Sequence, residues 1–157
     1  MTEIRKAEKK QAAQIVGLLE YIFALHKKGR PDVFADTDSP KYTEEDVCRL
    51  IDDEKTVILS ALDKDEVTGY LIAKFKDGAA AKHIKSVRTL YVDDLCVKET
   101  HKREGIGTAL FEEAKRIARE NGCERIELNV WAFNKDAIEF YKKTGLSVSR
   151  MTMEYKL

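Results

Sequence analysis

Apolar side chains recur along this chain in two periods, one typical of helices and the other typical of strands. Residues 8–27 carry apolar positions three and four apart, which predicts a helix with one buried face. Thr43 precedes three acidic residues, a pattern typical of a helix cap and first turn, and predicts a helix ending near Asp53. A third helix is expected from about Gly105 to Asn121, where Gly122 would end it. Its core-facing positions are Ile106, Leu110, Ala114 and Ile117.

A fourth helix is expected from Asn134, a favourable capping residue, to about Lys143 before Gly145. Other segments are rich in β-branched and aromatic residues and predict strands. These segments are residues 2–6, 55–62, 66–75, 88–97, 124–131 and 146–157. The second and third are separated by the turn residues 63–65 and predict a hairpin, whereas residues 77–85 predict a loop or a frayed strand end.

The predicted element order is β, α, α, β, β, β, α, β, α, β. Hairpin signals come first and a β-α-β unit follows, which indicates a mixed, mostly antiparallel sheet with helices on its faces, an α/β or α+β fold. The length of 157 residues fits one domain spanning residues 1–157.

Charge and cysteine content narrow the possible functions. The chain has 28 basic and 28 acidic residues, which argues against a nucleic-acid partner bound through overall positive charge. No apolar run approaches a membrane span, and the first ten residues lack the apolar stretch of a signal peptide. The three widely spaced cysteines form no CxxC pair, so we expect reduced thiols, no metal site and a cytoplasmic location.

Two glycines, Gly105 and Gly107, lie at the start of the long third helix, where each costs roughly 1 kcal/mol relative to alanine. A strand, a glycine-bearing turn and a helix N-terminus together form the outline of an anion site, because the first helical N–H groups have no intrahelical acceptor. Lys102, Arg103 and Thr108 would add charge and a hydroxyl group. Neither a dinucleotide fingerprint nor a Walker loop is complete here, and a simple helix cap remains an alternative.

The sequence around these glycines resembles the GNAT superfamily of acyl-CoA-dependent N-acetyltransferases. The resemblance rests on Gly105 and Gly107, then Asn134 after the next strand, and then Phe140-Tyr141 and Gly145. Lys102 stands where the family usually has Arg or Gln. The resemblance covers residues 88–157 strongly, and the first half of the chain only in element order.

This resemblance implies that acetyl-CoA is the co-substrate and that no metal is needed. The diphosphate would lie on the backbone N–H groups from Arg103 to Thr108, a range that includes Ile106. The pantetheine arm would run along a splayed strand and pair with Leu95 and Val97, which requires a bulge near residues 93–95. Asn134 would also contact the cofactor arm.

Acetyl transfer to an amine needs a base for the ammonium and an acid for the departing thiolate. Tyr141 lies where the family places a tyrosine acid, although a purely structural role in the core is the alternative. Asp93 and Asp94 are adjacent carboxylates in a strand and would point to opposite faces if that strand were regular. The segment resembles polyamine and diamine acetyltransferases, which carry an acid at the place of Asp93, so Asp93 is the first candidate base and Asp94 the second.

His26, Arg30 and Phe34 lie in or after the first helix and are candidates for contact with the acceptor amine. The acceptor itself stays open between a small amine, an amino acid and a protein amine, and the paired acids favour a cationic one. Alternatives are a non-catalytic acyl-CoA sensor of the same fold and a transferase for another acyl-CoA. The alternating C-terminal segment suggests a strand that also meets a second subunit, in line with the homodimers expected from the resemblance.

Overall fold

The computed structural model describes residues 1–79 and 81–157, and its central feature is a five-stranded sheet. The strands are β1 (Glu3–Lys6), β2 (Thr56–Asp63), β3 (Glu66–Asp77), β4 (Arg88–Val97) and β5 (Arg125–Leu128). The helices are α1 (Ala12–Gly29), α2 (Glu44–Asp52), α3 (Ile106–Glu120) and α4 (Lys135–Lys143). The strands lie in the order β1-β2-β3-β4-β5 and are antiparallel except for β4 and β5, which α3 connects in parallel.

Each face of the sheet has its own apolar core, and together the two cores enclose the central strands. On one face α3 packs Ile106, Leu110, Ala114 and Ile117 against β2, β3 and β4, as predicted. On the other face, α1 and α2 cover a second cluster that includes Ile15, Leu19 and Val47. The predicted mixed sheet with helices on both faces is therefore confirmed.

Local sequence signals account for most element ends. The Thr43 side chain accepts a hydrogen bond from Asp46 N, and the Asp46 carboxylate accepts one from Thr43 N, so this pair forms a capping box for α2. Gly122 and Gly145 follow α3 and α4 with φ of 72° and 99°, in the left-handed region that favours glycine. The predicted hairpin between β2 and β3 is also present.

Two predicted strands differ from the structure. The strand expected over residues 124–131 ends at Leu128, where its pairing with β4 also ends. The strand expected over residues 146–157 is wrong for this chain in isolation, because residues 146–157 have no ladder partner within residues 1–79 and 81–157. Of the expected loop at 77–85, residues 81 and 84 form a single bridge and Ala80 lies outside the described residues.

Two glycines provide a matched test of how backbone conformation determines stability. Gly17 lies exposed within α1, and a Cβ there would meet nothing within 4 Å. Gly17→Ala should therefore raise the free energy of unfolding by roughly 0.5–1 kcal/mol, since alanine is the better helix former. Gly122→Ala also has open space but needs a positive φ, and it should lower that free energy by about 1 kcal/mol. Urea denaturation measures both; equal effects of the two substitutions would contradict this account.

Candidate active site

A β-bulge in β4 determines the geometry of the site. Ile72 of β3 lies opposite Asp94, but the next residue, Ala73, lies opposite Val92, so Asp93 is the extra residue in the ladder. The bulge expected near residues 93–95 is therefore present. The parallel pairing of β4 with β5 also stops at Val92, opposite Leu128. Beyond this point β4 keeps β3 on one side and has no β5 partner on the other, so the sheet is splayed.

The open edge of β4 presents backbone amide groups. Lys98 N donates a hydrogen bond to Thr68 O of β3, at 2.8 Å. Alternate residues of an antiparallel strand direct their N–H groups to opposite sides. The N–H groups of Cys96 and Asp94 therefore face β3, like that of Lys98, whereas the N–H groups of Leu95 and Val97 face the open edge. These are the two amides that the sequence assigned to the pantetheine arm.

The turn before α3 lies next along the chain and is built from unusual backbone conformations. Arg103 and Gly105 have φ of 67° and 80°, and both are exposed. The first α-helical hydrogen bond runs from Ala109 N to Gly105 O at 3.0 Å, and no side chain caps the helix. The N–H groups of Ile106, Gly107 and Thr108 consequently have no intrahelical acceptor, and the helix dipole makes this end electropositive.

Gly105 and Gly107 are favoured over other residues for different structural reasons. Gly105 has a positive φ, and a Cβ built on it would meet nothing within 4 Å, so conformation rather than space favours glycine there. At Gly107, a Cβ would come within 3.1 Å of the Phe140 ring. Gly107 therefore lets Phe140, in α4, pack against the start of α3.

Lys102, which the sequence suggested for the anion site, is paired with Glu99 and contacts Tyr21. Its Nζ lies 2.6 Å from Glu99 Oε2 and 3.4 Å from the Tyr21 hydroxyl in α1, and Tyr21 also donates a hydrogen bond to Glu99. The exposed Arg103 and Thr108 remain beside the turn. Backbone N–H groups are thus the main feature of the turn that could bind an anion.

The two aspartates lie on the same face of the sheet, because the bulge breaks the alternation that would have separated them. Asp93 accepts hydrogen bonds from Lys41 Nζ at 2.9 Å and from the Tyr42 hydroxyl at 2.6 Å. Tyr42 packs against the α1–α2 core, and Asp94 lies on the same side as Cys96, which belongs to that core. A regular strand would direct Asp93 and Asp94 to opposite faces, but the bulge makes this strand irregular and both lie on one face.

The pKa values of the two carboxyls move in opposite directions. Burial raises the pKa of Asp94 to about 6, and the neighbouring charge of Asp93 adds to this rise against the opposing effect of Lys41. Burial also acts on Asp93, but the hydrogen bonds from Tyr42 and Lys41 outweigh it and leave the pKa of Asp93 below its usual value. Near neutral pH, Asp94 is therefore the carboxyl able to exchange a proton.

Tyr141 and Cys96 complete this part of the site. Burial, followed by the charges of Asp94 and Cys96, raises the pKa of Tyr141, so its phenol keeps its proton at neutral pH. Burial, and then the charge of Asp94, raise the pKa of Cys96 to about 12, so its thiol is a poor nucleophile. The three side chains are close enough to influence one another's pKa, and Tyr141 and Cys96 both keep their protons at neutral pH.

Asn134 and the acceptor candidates have clear structural contacts. Asn134 Oδ1 accepts from Ala137 N at 3.2 Å and caps α4, which leaves its amide nitrogen for another contact. The His26 ring stacks on Phe34 at 5.3 Å, and the Arg30 guanidinium lies over the Trp131 ring and pairs with Asp32. Arg30 and Phe34 thus hold the loop after α1 against Trp131. Burial, and then the charge of Lys41, lower the pKa of His26.

Sequence reasoning missed three residues that surround the aspartates. Lys41 and Tyr42 lie in the irregular segment before α2, and Tyr70 faces Cys96 from β3. Burial, followed by the charge of Asp94, raises the pKa of Tyr70 well above its usual value, so this phenol keeps its proton near Asp94. The strand register would have identified Tyr70, but no local pattern connects residues 41 and 42 with residue 93.

The described residues contain neither a metal-binding cluster nor a membrane-spanning helix. Within residues 1–79 and 81–157, no three His, Cys, Asp or Glu side chains are grouped so that they could hold a metal ion. Over the same residues, no helix combines the length and apolar character that crossing a membrane requires.

Two known proteins are similar in sequence to part of this chain. Over 58 residues the chain is 33% identical to a thialysine N-epsilon-acetyltransferase of Sus scrofa, a match that covers 37% of this chain and 34% of that protein. It is 32% identical over 95 residues to an N-alpha-acetyltransferase of Sulfurisphaera tokodaii, covering 57% of this chain and 56% of that one. The chain thus spans only about a third to a half of these relatives.

A solved structure matches the whole chain. A mutant of the BH1408 protein from Bacillus halodurans has a TM-score of 0.94 at 27% identity, with 99% of both chains covered. The model of the acetyltransferase (GNAT) family matches residues 19–146, which include the bulged strand, the glycine turn and α4. The resemblance seen in the sequence is confirmed, and the chain belongs to the acetyltransferase (GNAT) family.

Proposed function

We propose that this protein transfers the acetyl group of acetyl-CoA to a primary amine, with both substrates bound at once and the amine attacking directly. Members of the family use acetyl-CoA. The observation that carries the proposal is the bulge at Asp93, which brings two carboxyls together where β4 separates from β5 and leads into the glycine turn.

The residues present fit acetyl-CoA. The N–H groups of Ile106, Gly107 and Thr108 and the open space beside Gly105 suit a diphosphate at the electropositive end of α3. The outward amide of Val97 suits pairing with an amide group of an extended arm, which leaves the Leu95 N–H for the thioester. The co-substrate would supply the acetyl thioester, and the chain would bind it mainly through its backbone.

Asp94 is the better candidate for the base, ahead of Asp93. An ammonium must lose a proton before its nitrogen can attack, and a base is most effective when its pKa lies near the working pH. Asp94 has a pKa of about 6, whereas Asp93 is already bound to Lys41 and Tyr42. Asp94 would accept the proton directly or through a water molecule.

Tyr141 and the Leu95 amide would perform the other two tasks. The Leu95 N–H faces the open edge and would donate to the thioester oxygen as negative charge develops there. Tyr141 keeps its proton at neutral pH and would donate it to the departing sulfur.

The contacts of Lys41 favour a cationic acceptor. Its ammonium lies 2.9 Å from Asp93, while its side chain remains about half exposed, at 49%. An acceptor ammonium would replace that of Lys41 at this carboxylate, beside the second acid Asp94. The names of the two relatives, a thialysine N-epsilon- and an N-alpha-acetyltransferase, agree with an amine acceptor.

A thiol-release assay with acetyl-CoA and a panel of polyamines, amino acids, aminoglycosides and peptides tests the reaction. Turnover with a cationic amine supports the proposal. Tight acetyl-CoA binding without turnover on any acceptor would favour the sensor alternative, and faster turnover with succinyl-CoA would identify another acyl donor.

The diphosphate position can be tested at Thr108, which is exposed in the first turn of α3. Thr108→Glu should weaken acetyl-CoA binding about tenfold or more through like-charge repulsion, while the folded state keeps its stability because an acidic residue suits a helix N-terminus. Thr108→Gln, of equal size and no charge, is the control. Calorimetry measures the Kd, and an equal Kd for the two variants would place the diphosphate elsewhere.

The raised pKa of Asp94 predicts a pH-dependent cost in stability. Between its ordinary pKa of 3.8 and its folded pKa of about 6, the folded state binds the proton more tightly, so stability falls as pH rises through this window. Asp94→Asn avoids ionisation and should be more stable than the wild type by roughly 3 kcal/mol at pH 7.5, and by much less at pH 4.

Asp93→Asn is the matched control for this experiment. The pKa of the Asp93 carboxyl is lowered in the folded protein, so the ionised carboxylate contributes stability at pH values above its ordinary pKa. Asp93→Asn removes this contribution and should destabilise the protein at pH 7.5. Denaturation at both pH values measures the effect. A destabilised Asp94→Asn variant at pH 7.5 would show that Asp94 is not an ionised, poorly solvated group.

Kinetic measurements distinguish the proposed roles of Asp94 and Tyr141. Asp94→Asn should lower kcat by about 10²- to 10⁴-fold and remove the limb near pH 6 from the pH profile of kcat/KM, because the base is lost. Tyr141→Phe should lower kcat and leave the Kd of acetyl-CoA unchanged, since the phenol acts only on the leaving group. An unchanged kcat in either variant would remove that residue from the mechanism.

A further inference from the structure

Lys41 is a surface lysine whose ammonium reaches an internal carboxylate of the site. Its Nζ lies 2.9 Å from Asp93 Oδ1, and the Lys41 side chain is 49% exposed, whereas that of Asp93 is 13% exposed. Among the ion pairs of residues 1–79 and 81–157, this pair has the least exposed carboxylate. The Lys41 charge also lowers the pKa of Asp94 against the effect of burial, so it acts on both carboxyls. An amine of the chain itself thus occupies the place proposed for the acceptor ammonium.

The backbone that carries Lys41 is loosely held. Lys41 follows Ser39 and Pro40 in the irregular segment between α1 and α2, and its side chain is exposed. Within residues 1–79 and 81–157, residues 38–42 form no backbone-to-backbone hydrogen bond. A segment with few backbone hydrogen bonds moves easily, and a lysine side chain is long and flexible. The Lys41 amine can therefore shift over the two carboxyls while α1 and α2 stay in place.

The position proposed for the thioester lies beside this amine. The Leu95 N–H, the proposed donor to the thioester oxygen, belongs to the second residue after Asp93 in β4. Two residues of a strand span about 7 Å. Asp94, the proposed base, lies between them in the chain, and its charge reaches Tyr141, the proposed acid. An amine held at Asp93 therefore has the base, the thioester site and the acid around it.

A second lysine near the carboxyls provides a contrast. Lys74 lies within β3, where it is paired with Thr56 on one side and with Tyr91 on the other. Its Nζ donates a hydrogen bond to the Tyr42 hydroxyl at 3.1 Å. Lys74 is thus fixed in the sheet and bound to a phenol, whereas Lys41 is on an irregular segment and bound to the carboxylate itself.

We propose that Lys41 is a site of self-acetylation: when no free amine is bound, the enzyme transfers the acetyl group of acetyl-CoA to Nζ of its own Lys41. This inference rests on the proposed acetyl transfer and adds a lysine ε-amine of the chain as an acceptor. A free cationic amine and Lys41 would compete for the same carboxylate, so a bound acceptor protects Lys41.

The proton and bond changes are those of transfer to a free amine. Asp94 accepts a proton from the Lys41 ammonium, and the lone pair of Nζ attacks the thioester carbonyl carbon. The C–N bond forms and the C–S bond breaks. Tyr141 donates its proton to the departing sulfur and recovers one from the nitrogen as the amide forms. The products are Nε-acetylated Lys41, the free thiol of CoA and one proton, which Asp94 returns to solvent.

Mass spectrometry of the full chain incubated with acetyl-CoA, without any amine, tests this modification. Lys41 should be acetylated at least about tenfold faster than Lys64, because a positioned amine reacts faster than a free one. Lys64 is exposed in the turn of the β2–β3 hairpin and reports uncatalysed acetylation. Asp94→Asn should slow acetylation of Lys41 to the rate of Lys64. Equal rates at Lys41 and Lys64 in the wild type, or an undiminished rate in Asp94→Asn, would overturn the proposal.

Two controls establish the site and the intramolecular reaction. Lys41→Arg keeps the positive charge but cannot form the acetyl-lysine, so the intact variant should not gain the mass that the wild type gains rapidly. The rate constant for Lys41 should stay the same when the protein is diluted, and a rate constant that rises in proportion to protein concentration would overturn self-acetylation.

Competition separates this inference from the proposed function. A cationic amine that the enzyme acetylates should, at saturating concentration, slow the modification of Lys41 at least about tenfold, and an unchanged rate would place Lys41 outside the acceptor site. Turnover of free amines with Lys41 unmodified in their absence would overturn the self-acetylation and leave the proposed function standing. Neither thiol release on any acceptor nor modification of Lys41 would overturn both.

Discussion

The extra residue at Asp93 is the constraint around which the site is built. A regular strand would send Asp93 and Asp94 to opposite faces and would continue to bond its neighbours along its length. The bulge instead turns both carboxyls to the α1–α2 face, next to the point where β4 loses β5 after Val92. One inserted residue thus produces both a pair of interacting carboxyls and the strand edge at which a cofactor arm can bind.

Electrostatic interactions shift the pKa values of the two carboxyls in opposite directions. Lys41 and Tyr42 hold Asp93 as a carboxylate, and that fixed negative charge adds to the effect of burial on Asp94. Burial and the charge of Asp94 in turn raise the pKa values of Tyr141 and Cys96. The proposed proton acceptor, Asp94, and the proposed proton donor, Tyr141, therefore lie in one partly desolvated site.

The short pairing between β4 and β5, which opens the site, also leaves one side of the sheet incomplete. Because β5 pairs with β4 over only four residues, α4 is poorly covered and the C-terminal segment has no ladder partner among the described residues. The gap between β4 and β5 and the free edge of β5 thus lie on opposite sides of one short strand.

Local signals were enough to predict the helices, the hairpin and the glycine turn, because capping residues, apolar period and positive-φ glycines act within a few residues of chain. They were also enough to identify the family, and they made Asp93, Asp94 and Tyr141 the candidate catalytic residues. The choice between the two aspartates needed the tertiary structure, since the deciding partners Lys41 and Tyr42 are some fifty residues away in sequence. The C-terminal strand was mispredicted for a related reason: alternation specifies a face to be covered, but hydrogen bonding to another strand decides whether a ladder forms.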